Sequence, residues 1–404
     1  MVITNIRGNL MTTIVKNKRI DEIGMAKGLG ILMVFLKHTF EFTGISNYAP
    51  SVYNVLSTFF EVWIIMFIVL SGYTYKPKET LKEDIIKKVK TYIIPYLYGC
   101  MICTIFFIIA DLIIGKMDKI NFIQCVVSNF LGAADKNFFN LTSNHNPLSY
   151  SLIPYWYFAE IFVSFVLMIL IYRPIRNKNT LFKFFVAVIL LSIGVMFDVL
   201  DLQETVENTF SAVFSYFFVL PNIFSFAGIL LIGVVLQEIH LLDIDSYSKQ
   251  ISIPLAIIST IIWLVASFNY NNVYGLQCGK WGQYGAFSII ITSVCGIAVT
   301  YLVIFIFHYA KKLYLLKSIF SYLGKNTLYI LLSHYLICEI FSFLYNKRYE
   351  IYNTGFPSTA FSLPIAIMII SSTAIVMICT LEIKNYIYTY SIPKDTSVQL
   401  VTEH

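Results

Sequence analysis

The sequence is poor in charge. Of its 404 residues only 13% are Asp, Glu, Lys or Arg, whereas a soluble domain usually carries about 25%. Hydrophobic residues make up 57%, and the mean hydropathy is +0.72. These values exclude an ordinary soluble domain. They predict an all-α, polytopic integral membrane protein that lies in the lipid bilayer of the cell membrane.

Cysteines at metal-ligand spacing are also missing. There are seven cysteines, at positions 100, 103, 125, 278, 295, 338 and 379. Cys100 and Cys103 form a CxxC pair, but the pair lies within an apolar stretch, so we interpret both as core thiols. The sequence therefore predicts neither a metal site nor a redox motif.

Several other features are absent. We find no cleavable signal peptide, because the first apolar run is long enough to remain as a membrane anchor. There is no internal repeat and no low-complexity tract. We expect a tail over 1–22, a single membrane domain over 23–383 and a second tail over 384–404.

Apolar runs of spanning length account for most of the chain. About ten transmembrane helices are predicted, since each span needs about 20 residues. The runs lie near 23–43, 54–75, 91–115, 149–172, 180–199, 218–238, 251–268, 284–308, 325–345 and 360–382.

The basic residues give the orientation. Most of the 29 lysines and arginines fall in the two tails and in every second loop. The intervening loops hold only Lys116, Lys119, Lys136, Lys280, Lys347 and Arg348. By the positive-inside rule both termini are cytoplasmic. The net charge of +6 indicates contact with anionic lipid headgroups rather than nucleic acid.

The first span carries three ionisable residues, Lys27, Lys37 and His38. Such groups are rare within a membrane span and mark a candidate functional site. Lys27 and His38 are eleven residues apart, which is about three helical turns, so both lie on nearly one face about 16 Å apart. The predicted topology places Lys27 near the cytoplasmic surface and His38 near the outer surface.

Other spans carry further candidates. The second span starts on the outer side, so Glu61 within it lies at a depth similar to that of His38, while Glu160 and His334 fall near the middle of the membrane. The segment KPKETLKEDIIKKVKTYIIPY, with Lys88 and Lys90, lies on the cytoplasmic side and is typical of a site for an anionic ligand or lipid.

These residues occur in motifs that resemble those of the acyltransferase-3 family, bacterial integral membrane enzymes that O-acetylate sugars of surface glycans. KGLGILMVFLKH is similar to the family's basic residue followed by His in helix 1. FIVLSGYTYK, KKVKTYIIPY, PYWYFAEIF and LGKNTLYILLSH are similar to four later motifs, in the family's order. Together these motifs span residues 19–334.

The sequence also departs from the family's pattern. Gly24 stands where the family often has Asp, and Lys37 precedes His38 where Gly is usual. Trp63 and Ile65 replace the His and Pro of the sugar-acetylase branch. In the R-x-x-R motif, Lys88 takes the first position and Thr91 the second.

The resemblance implies that acetyl-CoA is the acyl donor, without a metal, and that a surface glycan or its lipid-linked precursor is the acceptor. It implies that His38 is catalytic and that Lys27 and Lys88, with Lys90 beside them, hold the donor. Independently of the resemblance, a histidine titrates near neutral pH and can take the hydroxyl proton. A carboxylate would orient its ring, and Glu61 and Glu160 are the candidates.

Alternatives remain for single residues and for the whole chain. His334, Lys37, Tyr73 and Trp156 are further pocket candidates, although Tyr73 and Trp156 also suit packing and His334 a bond between helices. Lys27 could instead extend to the cytoplasmic headgroups. The protein could also be a transporter or flippase whose ionisable residues line a path, or an inactive relative that binds glycan or lipid.

Overall fold

The computed structural model describes residues 21–42, 62–114, 156–200, 219–269, 287–334 and 337, and this part of the chain contains helices and no strand. The helices are α1 (Asp21–Phe42), α2 (Trp63–Tyr73), α3 (Leu81–Lys88), α4 (Ile94–Ile114), α5 (Trp156–Ile175), α6 (Thr180–Val199), α7 (Leu220–Glu238), α8 (Lys249–Asn269), α9 (Phe287–Ala310), α10 (Tyr314–Lys325) and α11 (327–334). A π-helix, Val89–Ile93, joins α3 to α4, and a 3₁₀ turn, Ile244–Ser246, follows α7.

Five of the described helices are long and apolar enough to cross a membrane, namely those within α5, α6, α7, α8 and α9. They correspond to five predicted spans; α6 coincides with the predicted run 180–199, whereas α5 begins at Trp156 and the predicted run at 149. The all-helical membrane fold is thus confirmed for the described residues. The tenth predicted span, 360–382, and both chain termini lie outside them.

Helix α7 is the centre of the bundle. Fifteen of its residues, from Pro221 to Leu236, are buried, because α2, α5 and α6 all pack against it. The closest approach is to α2, where a Cβ added at Gly72 would lie 2.0 Å from the carbonyl oxygen of Leu230. Glycine at this crossing lets two backbones meet, as is common between membrane helices.

Polar contacts bring alternate helix ends together at one end of the bundle. Glu22 at the start of α1 contacts His308 near the end of α9, and Thr180 at the start of α6 contacts Glu238 at the end of α7. These contacts agree with the alternating direction that the basic loops predict. We call this end the Lys27 end and the opposite end the His38 end.

Two helices lie in segments that the apolar runs leave as loops. Helix α3 begins with a capping box, in which Thr80 and Glu83 satisfy each other's backbone N–H groups. Helix α10 is amphipathic and too short to span, with Tyr314 and Leu315 exposed. The helix is interrupted at Asn326, and the chain continues as α11. The predicted run 325–345 therefore starts at the last residue of α10, and α11 is the first described helix within it.

Helices α1 and α10 cross in backbone contact. A Cβ at Gly28 would lie 2.0 Å from the carbonyl oxygen of Phe320, and one at Gly324 would lie 1.9 Å from that of Gly24. Gly24 itself has open space, with nothing within 4 Å of such a Cβ. An ion pair between Lys317 and Asp21 at 2.6 Å supports the same crossing. The break at Asn326 then directs α11 toward the His38 end.

Candidate functional site

His38 and His334 meet at the His38 end. The centroids of their rings are 5.3 Å apart and the ring planes are inclined by 37°. His38 lies near the end of α1 and is half-buried, whereas His334 is fully buried on α11. The crossing of α10 over α1 brings the next helix, α11, alongside α1, where this contact forms.

The buried ring of His334 is held by the helix that carries it. Its Nδ1 lies 2.9 Å from the carbonyl oxygen of Ile330, and Phe35 packs edge-on at a centroid distance of 6.5 Å. A carbonyl only accepts hydrogen bonds, so Nδ1 carries the proton, and Nε2 of the neutral ring has a lone pair. An imidazole nitrogen with a lone pair can accept a proton, which suits acid–base chemistry at a hydroxyl group.

Glu160 is fully buried in the first turns of α5. Asn222 of α7 donates from Nδ2 to Glu160 Oε2 at 3.0 Å, while Oε1 has no hydrogen-bond partner among the described residues. The bond to Asn222 fastens α5 to α7. The described hydrogen bonds of Glu160 do not include His38, so its role as an orienting carboxylate stays a prediction.

Lys88 lies among three aromatic rings at the Lys27 end, which we call the aromatic cage: Tyr75, Tyr92 and Phe165. Its Nζ is 3.3 Å from the centroid of Phe165, 5.4 Å from that of Tyr75 and 5.8 Å from that of Tyr92. Tyr92 stacks on Phe165 at 5.5 Å. Aromatic faces attract a cation and partly replace its water.

Lys27 and Lys88 belong to one electrostatic site. Burial, together with the positive charges of Lys87 and Lys27, lowers the pKa of Lys88 from 10.5 to about 7, while Asp84 opposes this shift. Lys27 is half-buried on α1. Lysines that repel each other and are partly dry favour an anion, because a negative ligand relieves both repulsion and desolvation. A phosphate group meets these requirements.

Behind Lys88 lies a buried ionic cluster, the Asp84 latch: Tyr75, Asp84 and Arg173. Asp84 is 1% exposed; its Oδ2 accepts from the Tyr75 hydroxyl at 3.0 Å and from Arg173 Nη2 at 2.7 Å. Its Oδ1 accepts from the backbone N–H of Lys78 at 3.0 Å. Arg173 also donates to the carbonyl oxygens of Lys78 and Glu79. The latch therefore fixes the segment 74–84 against α5.

The remaining predicted residues take less central positions. Lys90 is exposed, Lys37 is half-exposed, and Tyr73 is buried in the core. Trp156 lies in the first turn of α5, but its side chain is outside the described part of the chain, as is the whole of Glu61.

The departures from the family's pattern have structural counterparts. Trp63 and Ile65 are buried in the core, and Ile65 fills the space beside Gly296, where a Cβ would lie 2.3 Å from its Cγ2. Thr91 of the π-helix donates to the carbonyl oxygen of Lys87 in α3. Gly24 contributes its backbone to the crossing of α1 and α10.

Sequence reasoning missed Asn222, Asp84, Arg173 and the aromatic cage. Asn222 carried a usable signal, since an amide directly after Pro221 interrupts an apolar run. Asp84 and Arg173 carried no such signal in the sequence, because each lies in a charged segment that is typical of a solvated loop. Only the packing of α3 against α5 brings them together.

No cluster of three or more His, Cys, Asp or Glu side chains suited to a metal occurs in the described ranges. The arrangement there consists of an imidazole pair at one end of α1 and a lysine pair at the other, with a helical membrane bundle around them. It defines a membrane protein with a candidate acid–base site and a candidate anion site.

The sequence model of the acyltransferase-3 family, described as an acyltransferase domain, matches residues 20–381. The chain therefore belongs to the acyltransferase-3 family. This match confirms the resemblance inferred from the five motifs and makes the protein a membrane acyltransferase. Searches of curated proteins and of solved structures gave no significant match.

Proposed function

We propose that the protein transfers an acetyl group from cytoplasmic acetyl-CoA to a hydroxyl group of a cell-surface glycan or of its lipid-linked precursor. The family match supports the acyl transfer. The acetyl donor, the sugar acceptor and a plasma-membrane location are parts of the proposal. The remaining spans of a ten-helix topology and the cytoplasmic placement of both termini are also parts of the proposal, and the distribution of basic residues among the loops supports them.

One observation carries the proposal. Helix α1 bears Lys27 and His38 about 16 Å apart along its axis, and each is joined by a second predicted residue from a distant segment. Lys88 shares the electrostatic environment of Lys27, and His334 lies against His38. A ligand with phosphates at one end and a thioester at the other fits this division of charge.

The chemistry assigned to each residue follows from its surroundings. His38 accepts the proton of the acceptor hydroxyl as its oxygen attacks the thioester carbonyl carbon. The tetrahedral intermediate then expels the coenzyme A thiolate, which receives the proton, so an oxygen ester replaces the thioester. His334, with its Nδ1 proton committed to the Ile330 carbonyl, orients the His38 ring and shares its proton.

Lys27 and Lys88 hold the phosphates of the donor at the other end. A lysine binds phosphate as a point charge, and its binding energy increases where water is partly excluded. The aromatic cage provides such a place for Lys88. In this scheme the donor enters from the Lys27 end, which the topology assigns to the cytoplasm.

The test supplies labelled acetyl-CoA and total surface glycan to membranes that contain the native protein or His38→Ala. Label is followed into base-labile ester, and the amount of inserted protein is matched by immunodetection. We expect ester formation in the native sample and a loss of at least about 10²-fold in the variant. A matched control is Lys82→Ala, because Lys82 is exposed on α3 away from the two pairs.

Other results would redirect the assignment. Incorporation that survives His38→Ala removes His38 from the mechanism. Absence of incorporation in both samples, together with a response of solute movement to an ion gradient, points to a transporter or flippase. Glycan binding without turnover points to an inactive relative.

A further inference from the structure

The Asp84 latch is a buried polar cluster that the proposed chemistry does not use. Its carboxylate accepts three hydrogen bonds, from Tyr75, Arg173 and the Lys78 backbone. Removing one partner of such a buried pair leaves an uncompensated charge. A solvated loop does not need a buried ionic cluster to hold it. The cluster therefore indicates that the position of α3 against α5 must be fixed.

The latch and Lys88 lie on one face of α3. Asp84 and Lys88 are four residues apart, which places them one turn apart on the same side of the helix. Both side chains turn toward α5, where Arg173 bonds Asp84 at 2.7 Å and Phe165 lies under Lys88 at 3.3 Å. Any shift of Asp84 along α5 therefore moves Lys88 relative to its rings.

Tyr75 connects the two groups directly. Its hydroxyl donates to Asp84 Oδ2, and its ring forms one wall of the aromatic cage. The same ring contacts Phe165 and Tyr172 at centroid distances of 6.4 and 5.9 Å. Phe165 and Tyr172 are seven residues apart, about two turns, so Tyr75 packs along one face of α5.

The segment after Lys88 is fixed as well. The chain enters a π-helix at Val89, a geometry that often occurs at functional sites. Tyr92 of this π-helix hydrogen-bonds to Ser71 of α2. Lys88 is thus held from Asp84 on one side and from Tyr92 on the other.

We propose that Tyr75, Asp84 and Arg173 are positioning residues that hold Lys88 beside Lys27 for the phosphate groups of a coenzyme A-type donor. This inference rests on the proposed function. The latch does not touch the ligand; it fixes α3 and the aromatic cage so that the ammonium group is presented to an anion.

The test measures binding of coenzyme A itself, without the acetyl group, to the purified full-length protein by titration calorimetry. The variants are Tyr75→Phe, which keeps the ring and removes one hydrogen bond, and Asp84→Asn, which keeps the shape and removes the charge. Each is made alone and together with Lys88→Met, and Lys82→Met on α3 is the matched control. Thermal unfolding checks that every variant is folded.

We expect Tyr75→Phe to weaken binding about fivefold and Asp84→Asn about tenfold, which correspond to one hydrogen bond and one charge-assisted bond. In the Lys88→Met background neither should weaken binding further, because the latch acts through Lys88. Equal losses in both backgrounds, or no loss in either single variant, would overturn the proposal.

A second readout covers the case in which Lys88→Met leaves no measurable binding or Asp84→Asn does not fold. Asp84 supports the charged form of Lys88, while Lys87 and Lys27 oppose it. Asp84→Asn should therefore move the pH midpoint of coenzyme A binding to lower pH. An unchanged midpoint in Asp84→Asn, or unchanged affinity in the milder Tyr75→Phe variant, would contradict the positioning role.

Failure of the donor site gives a different pattern. If Lys27→Met and Lys88→Met both bind coenzyme A like the native protein, the lysines do not hold the donor and that part of the proposed function is wrong. If these two variants lose binding and the latch variants do not, the donor site stands and only the positioning inference fails.

Discussion

The ring of His334 lies 5.3 Å from the ring of His38, although the two residues come from opposite ends of the described chain. Structure within either segment alone does not bring the two rings together. The contact depends on the crossing of α1 and α10 and on the break at Asn326, which together place α11 beside the end of α1. This pair is the structural basis for the acid–base role proposed above.

The proposed joint role of the two histidines predicts that their substitutions are not additive. We expect His334→Ala to lower acetyl transfer about tenfold to a hundredfold, less than His38→Ala, since it removes support rather than the base itself. The double variant should be no slower than His38→Ala alone. Transfer of labelled acetyl groups into base-labile ester measures all three; losses that multiply would show that the two rings act independently.

The affinity for coenzyme A should fall as the pH rises above about 7. Burial and the charges of Lys87 and Lys27 lower the pKa of Lys88 from 10.5 to about 7. In the free protein Lys88 therefore loses its charge as the pH rises through about 7, instead of near 10.5. A bound phosphate stabilises the ammonium form, so binding in this range takes up a proton and weakens by at most about tenfold per pH unit.

Lys88→Arg provides the control for this pH dependence. Arginine stays charged throughout the range, so the fall in affinity should disappear in calorimetric titrations at pH 7, 8 and 9. The phosphate of the ligand titrates near pH 6, and its ionisation would strengthen binding as the pH rises. A native protein whose affinity is constant from pH 7 to 9 would contradict a neutral Lys88 in the free state.

The glycines of α1 should differ sharply in their tolerance of alanine. Gly28→Ala places a methyl group 2.0 Å from the Phe320 carbonyl oxygen, which forces the backbones apart and should cost about 1–3 kcal/mol. Gly24→Ala meets open space and should be neutral or slightly stabilising, because alanine favours helix. Thermal unfolding of the two variants in the same detergent is the measurement, and equal melting temperatures would refute the backbone contact.

The Glu160–Asn222 bond should make a measurable contribution to folding. Glu160→Ala leaves the Asn222 amide buried without its partner, at a cost of about 1–3 kcal/mol. Glu160→Gln keeps the shape and an accepting oxygen, so it should retain most of the stability. Unfolding curves compare the two variants, and acetyl transfer by Glu160→Gln separates folding from chemistry: a stable but inactive variant would give Glu160 a catalytic role.

Much of the architecture follows from the sequence because membrane helices are local structures. The run 180–199 predicts α6 to the residue, since a span satisfies its own backbone hydrogen bonds and needs only enough apolar length. The amphipathic α10 escaped that reasoning, because its 12 residues are too few for a span and polar residues interrupt its apolar ones.

The candidate site could be predicted only in part. His38 and Lys27 were evident because both are ionisable residues on one face of one helix. His334 was a candidate without a partner, and the aromatic cage and the Asp84 latch could not be foreseen. Their members lie on α3, α5 and the intervening chain, and nothing in a single sequence says that Phe165 lies under Lys88.

The sequence by itself determined the class of protein, the five described spans and the ionisable residues on α1, since these depend on composition and on spacing within one helix. Only the tertiary structure decided which residues share a site. His38 meets His334, Lys88 enters the aromatic cage, and Asp84 is neutralised by Arg173 because the helices pack where glycines let their backbones approach and where buried charges find partners. Those conditions act between segments far apart in the chain, so local spacing does not encode them.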